Sequence, residues 1–137
     1  RTLLGHFRHE IGHYYWDVLI QNSNYLEQFR RLFGNEETDY SKALEIYYQT
    51  QTPANWNDNF ISPYSTAHPW EDWAETWAHY LQMVDGFETC EQLGIRSSEA
   101  PLPASACTQG DFAACSSMFA EVVRSFARAS SVTCLGV

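Results

Sequence analysis

The stretch His9-Glu10-Ile11-Gly12-His13 reads H-E-x-x-H, set between Phe7-Arg8 and Tyr14-Tyr15-Trp16. On a helix, residues four apart lie on one face, so His9 and His13 can offer ring nitrogens to a single metal ion. Glu10 sits about 100° round the helix from His9, off the metal but within reach of a water beside it. The spacing therefore predicts a helix carrying the first half of a zinc hydrolase site, with His9 and His13 as ligands and Glu10 as general base. The competing reading is two helix-face histidines and a surface glutamate in chance register. Leu3, Leu4, Phe7, Ile11 and Val18 give this helix an apolar side, and Gly5 and Gly12 would let another helix approach the histidine face. Both features favour the metal.

A catalytic zinc site needs three protein ligands and one open position. The candidates for the third are His6, His68, His79 and the acids of His68-Pro69-Trp70-Glu71-Asp72-Trp73-Ala74-Glu75-Thr76-Trp77. His6 shares a face with His9 and His13 but lies about 10 Å along the axis from His13. It is expected as a pocket-wall or core histidine. Pro69 opens a helix at its favoured first-turn position. On that helix Trp70, Trp73, Trp77 and Val84 form an apolar stripe that reads as core. Glu71, Ala74, Glu75 and Ala78 form a neighbouring face, where small alanines permit close packing. Two acids on such a face are costly unless paired or bound to a cation. Glu71 therefore fits as the metal ligand, and Glu75 as acceptor of the other ring N–H of a ligating histidine. The plainer reading of both is a solvated acidic stripe; Asp72 is the second choice of ligand.

The rest of the chain narrows the class. Its 137 residues make at most one sizeable domain, and 15% are aromatic, including five Trp. A formal charge of −9 argues against nucleic-acid or anionic-membrane partners. No apolar stretch is long enough to span a bilayer and no basic-then-apolar leader is visible, so a cytoplasmic location is the expectation. The spacing of Cys90, Cys107, Cys115 and Cys134 fits no zinc knuckle or redox pair. They read as buried free thiols, a Cys107–Cys115 bridge being reserved for an oxidising compartment. Helices are expected over about Thr2–Gln21, Tyr25–Phe33, Asp39–Gln49 and Pro69–Asp85, the last stopping at Gly86. A short helix, Phe87–Leu93, should follow. Thr50–Ala67 reads as loop. Residues 96–110 read as a linker, and 111–137 as a helix (Asp111–Arg128) with a tail. No strand or repeat is evident.

HFRHEIGHYYW together with SPYSTAHPWEDWAETWAHYL resembles the putative zinc-binding metallopeptidase family of bacteria, a gluzincin-type group, over roughly residues 1–95. The second stretch is also similar to the corresponding segment of anthrax lethal factor, in which a tyrosine stands seven residues before the ligand glutamate and a second glutamate four after it. Tyr64, Glu71 and Glu75 stand at those offsets. The resemblance implies that Tyr64 steadies the tetrahedral intermediate, although a loop tyrosine after Pro63 more often serves packing. The combined expectation is a mainly α, zincin-like metallopeptidase core over residues 1–95, holding Zn²⁺ and hydrolysing peptide or protein substrates. A non-catalytic zinc or protein-binding domain, and a zinc amidohydrolase acting on a non-peptide amide, are the alternatives. Since the first ligand lies eight residues from Arg1, leaving no room for the β-sheet usual against such a helix, the chain reads as a fragment. Such a piece is expected to bind zinc, to cleave poorly and to expose an aromatic face.

Overall fold

The computed structural model describes residues 2–94. They form α1 (Leu3–Leu19), α2 (Leu26–Phe33), α3 (Tyr40–Gln49) and α4 (Pro69–Gln92). Two single 3-10 turns, Trp56–Asp58 and Tyr64–Thr66, punctuate the long loop between α3 and α4. No strand occurs among the described residues, so the fold is mainly helical as expected. The proposed helix Asp111–Arg128, its linker and the Cys107–Cys115 pair lie outside the described residues.

Local chemistry sets the helix ends. Thr2 caps α1, its Oγ1 accepting from the Gly5 N–H at 3.1 Å, and Asp39 caps α3, Oδ1 accepting from the Lys42 N–H at 3.0 Å. Both satisfy backbone donors that a helix start leaves open. Gly34 ends α2 at φ 105°, a conformation that side-chain-bearing residues rarely adopt. At the start of α4, His68 Nδ1 accepts from the Trp70 N–H at 3.1 Å, while Nε2 donates to the Thr38 carbonyl at 2.9 Å. His68 thus fastens two chain segments and is used up as a cap.

The expected stop at Gly86 does not occur. α4 runs unbroken to Gln92, absorbing the separate short helix foreseen from Phe87. Gly86 is exposed and faces open space. A single glycine inside a helix costs only about 1 kcal/mol, less than the surrounding turns return.

α1 and α4 pack antiparallel, with Arg8 paired to Asp85 at one end, Gly12 against Ala74 in the middle and Trp16 against Trp70 at the other. Trp16, Ile20, Phe29 and Trp73 make the buried core, flanked by Leu19, Leu26, Phe33, Trp70 and Trp77. Each such large side chain contributes about 1.5–3 kcal/mol on full burial. α2 delivers Phe29 edge-on to Trp16 and Trp73, at ring separations of 5.6 and 6.0 Å. The opposite side of α1 is bare: Leu3, Leu4, Phe7 and Val18 are all exposed.

The two glycines of α1 differ in what they do. A Cβ on Gly12 would stand 3.0 Å from the Ala74 Cα and 3.2 Å from the Trp77 Cβ, so glycine is what allows the two backbones to meet. At Gly5 a Cβ would meet only its own cap, Thr2 Oγ1, and no helix approaches there. The expectation that Gly5 admits a partner helix is therefore not met. Gly12→Ala is expected to destabilise the fold by about 1–3 kcal/mol, as overpacking against backbone does. Denaturant titration measures this, and Gly5→Ala serves as the tolerant comparison.

Candidate metal centre

Three side chains from two helices converge beneath the Gly12 crossing. His9 and His13, one turn apart on α1, point their Nε2 atoms at each other across 3.2 Å. Glu71, in the first turn of α4, places Oε2 3.0 Å from His9 Nε2 and Oε1 3.6 Å from His13 Nε2. Among the described residues, this trio is the group of three able to offer a metal one atom each within a common reach. Asp72, though buried, is not in it.

Whether these residues suit zinc is a matter of distances and donors. Around an ion with bonds of about 2.1 Å, tetrahedral neighbours stand roughly 3.4 Å apart. The 3.2 Å between the histidine nitrogens, and the 3.0 and 3.6 Å from His9 to Oε2 and from His13 to Oε1, lie close to that value, with a different carboxylate oxygen nearest each ring. Glu71 Oε2 is buried without a hydrogen-bond partner among the described residues, although it lies within ion-pair distance of His9. A buried carboxylate oxygen in that condition is costly unless a cation faces it. Two imidazole nitrogens and a carboxylate are the donor set zinc prefers. The residues present fit the ion.

The surrounding groups hold these three in place. His9 Nδ1 lies 2.7 Å from Glu75 Oε1, and Glu75 Oε2 accepts from Ser62 Oγ, also at 2.7 Å. The Tyr40 hydroxyl donates to Glu71 Oε1 at 2.6 Å. Trp73 Nε1 donates to the Gly12 carbonyl at 2.9 Å, pinning α4 to α1 between the two histidines. Neither Tyr40 nor Ser62 stands out in the sequence. Tyr40 looks like one more aromatic on an amphipathic helix, and its partner is 31 positions away.

Other residues weighed from the sequence fall elsewhere. His6 is exposed, its Nδ1 3.7 Å from Glu10 Oε1, so it is neither core nor pocket wall. His79 is held to its own helix, Nδ1 against the Glu75 carbonyl at 2.7 Å. Glu10 stands outside the buried trio, 57% exposed at its side chain. Tyr64 is half-buried, its ring centroid 6.1 Å from that of His9.

Electrostatics follow from this packing. Burial pulls the Glu71 carboxyl upward, but the adjacent His9, the hydrogen bond from Tyr40 and the histidine charges win, holding it below the ordinary range. Burial lowers His13. Burial also opposes charge on His9, yet the hydrogen bonds and charges of Glu71 and Glu75 together outweigh it and lift the ring to about 9. Tyr64 is pushed above the ordinary phenol value, first by burial and then by the charge of Glu71, and so keeps its proton.

With this geometry in place, similarity to known sequences can be read. The sequence profile of a family described as "putative zinc-binding metallo-peptidase" matches residues 1–133. The chain belongs to that family. The metallopeptidase match extends beyond residue 95, the limit of the resemblance read from the two motifs. An uncharacterised protein of Mycobacterium bovis and two counterparts from strains of Mycobacterium tuberculosis are each 52% identical over 101 residues, covering 73% of this chain. The aligned stretch spans 30% of the length of those relatives. No solved structure matches. Among the described residues no helix is long and apolar enough to cross a membrane.

The His9 shift has a thermodynamic consequence for the metal-free protein. A histidine raised from 6.5 to about 9 on folding adds stability that is complete below pH 6.5 and is lost as pH rises through 9. Chelator-treated protein is expected to lose denaturant resistance across that window, and His9→Asn to lack that part of the slope.

Proposed function

We propose that this chain is the metal-holding core of a gluzincin-type zinc peptidase acting on peptide or protein substrates. His9, His13 and Glu71 are the zinc ligands in this reading. The observation that carries it is the convergence of two Nε2 atoms and a carboxylate at spacings close to those around a tetrahedral ion, with the exposed Glu10 next in the chain to the first ligand. When bound, zinc supplies a Lewis acid that makes a water acidic near neutral pH and polarises a carbonyl.

The chain's own groups do the rest. Glu10 accepts a proton from the attacking water and passes it to the leaving amine. Its exposed carboxylate is open to substrate, as that role requires. Tyr64 donates its hydroxyl to the oxyanion of the tetrahedral intermediate. Its raised pKa suits a donor that must stay protonated. Glu75 accepts the Nδ1 proton of His9, which fixes the tautomer with Nε2 free to ligate. The offsets shared with lethal factor, a tyrosine seven before Glu71 and a glutamate four after, support Tyr64 and Glu75 in these roles.

Metal analysis of tag-free protein is expected to find about one zinc per chain. Glu71→Ala should lose it and Asp72→Ala should keep it; the reverse would move the third ligand to Asp72. No zinc, and none taken up on addition, would falsify the reading.

In the intact protein, Glu10→Gln should retain zinc and lose about 10²–10⁴-fold in hydrolysis of a peptide library, because an amide cannot accept the proton. Tyr64→Phe should lower kcat by about 100-fold with little change in KM. Unimpaired cleavage by Glu10→Gln would leave the metal site standing and remove the mechanism. Chelator-insensitive cleavage would remove both.

A further inference from the structure

The Glu71 carboxylate has two oxygens, and a carboxylate can bind a metal through one or both. If both bound, together with His9 and His13, the ion would hold four protein atoms and a water could enter only as a fifth ligand. Holding one oxygen off the ion keeps the site at three protein atoms and an open fourth position. The two oxygens of Glu71 are not equivalent. Oε1 accepts a hydrogen bond from the Tyr40 hydroxyl at 2.6 Å, the short distance of a bond to a charged acceptor. Oε2, 3.0 Å from His9 Nε2, is buried with no hydrogen-bond partner among the described residues.

We propose that Tyr40 is a positioning residue that occupies Oε1 and so restricts Glu71 to one-oxygen ligation through Oε2. The inference rests on the reading of His9, His13 and Glu71 as zinc ligands. Tyr40 is built for the task. It is the first residue of α3, immediately after the Asp39 cap that fixes the helix start. Its ring stands edge-on to His68 and Trp70, at 5.2 and 5.7 Å. Those two residues lead directly into Glu71, so the hydroxyl and the carboxylate are referenced to the same short segment. A hydroxyl serving only to satisfy a buried acid would alter stability when removed, but not the number of atoms around the metal.

The test is the coordination number. The parent protein is stripped with chelator, shown to take up zinc, and loaded with cobalt(II), whose visible d–d bands are strong in four-coordination and weaken in five. Tyr40→Phe keeps the ring and frees Oε1. It is expected to weaken zinc binding by about 10–100-fold, as loss of a ligand's outer partner does, and to lower the cobalt band intensity. Tyr47→Phe, a hydroxyl removed from the same helix, should leave the spectrum as in the parent. Parental cobalt bands in Tyr40→Phe overturn the proposal, whatever the affinity. A parent that takes up no metal overturns instead the ligand assignment beneath it. Should Tyr40→Phe not fold, the infrared difference between zinc-loaded and metal-free parent decides. One-oxygen ligation widens the splitting between the two carboxylate stretching bands, and a narrow, two-oxygen splitting refutes the role of Tyr40.

Discussion

The contact on which the rest depends is backbone against side-chain stem: Gly12 of α1 against Ala74 and Trp77 of α4. Histidine and glutamate side chains are short, and their terminal atoms meet only if the helices that carry them nearly touch. A missing methyl on one side and a single methyl on the other achieve this. The Trp73 indole N–H then bonds to the Gly12 carbonyl and fixes the depth of the crossing. Tryptophan and phenylalanine surround the point, so the crossing that builds the site is also the centre of the core. Stability and chemistry share one joint here, and neither can be changed without the other.

That joint buries two carboxylates and two imidazoles in one place. Such a cluster would be expensive if its members were left unpaired. Each buried acid is therefore engaged from outside the trio: Ser62 on Glu75, Tyr40 on Glu71. The loop and α3 supply these partners, although neither adds a large residue to the buried core. Their contribution is polar satisfaction and aim rather than apolar burial, which explains why a helix with no buried residue is held in place.

Sequence made the helical architecture legible, because 3.6-residue periodicity and Asp, Thr and Gly punctuation act over a few residues. It also foreshadowed the meeting of His9, His13, Glu71 and Glu75. The i, i+4 spacing and the Glu-Ala-Glu-Ala face are local patterns whose burial leaves few options. What it did not disclose depended on the third dimension. Gly86 looked like a stop because glycine usually is one near a helix end, yet nothing in the surroundings asks the chain to turn there. His6 shares a helical face with the two ligand candidates yet is exposed, which spacing alone does not reveal. Tyr40 and Ser62 are ordinary residues whose importance comes from partners 31 and 13 positions away.

The strength of attachment is uneven around the site. α1, α2 and α4 are joined through tryptophan and phenylalanine, whereas α3 has no buried residue and meets the site through the Tyr40 ring and hydroxyl. Free energies of local opening scale with buried apolar contact, so α3 belongs to the least stable tier of the fold and α1 with α4 to the most stable. A local opening that released α3 would leave the apolar contacts joining α1, α2 and α4 intact. It would also take the Tyr40 hydroxyl from Glu71, so the charge distribution around the carboxylate is tied to the attachment of one helix.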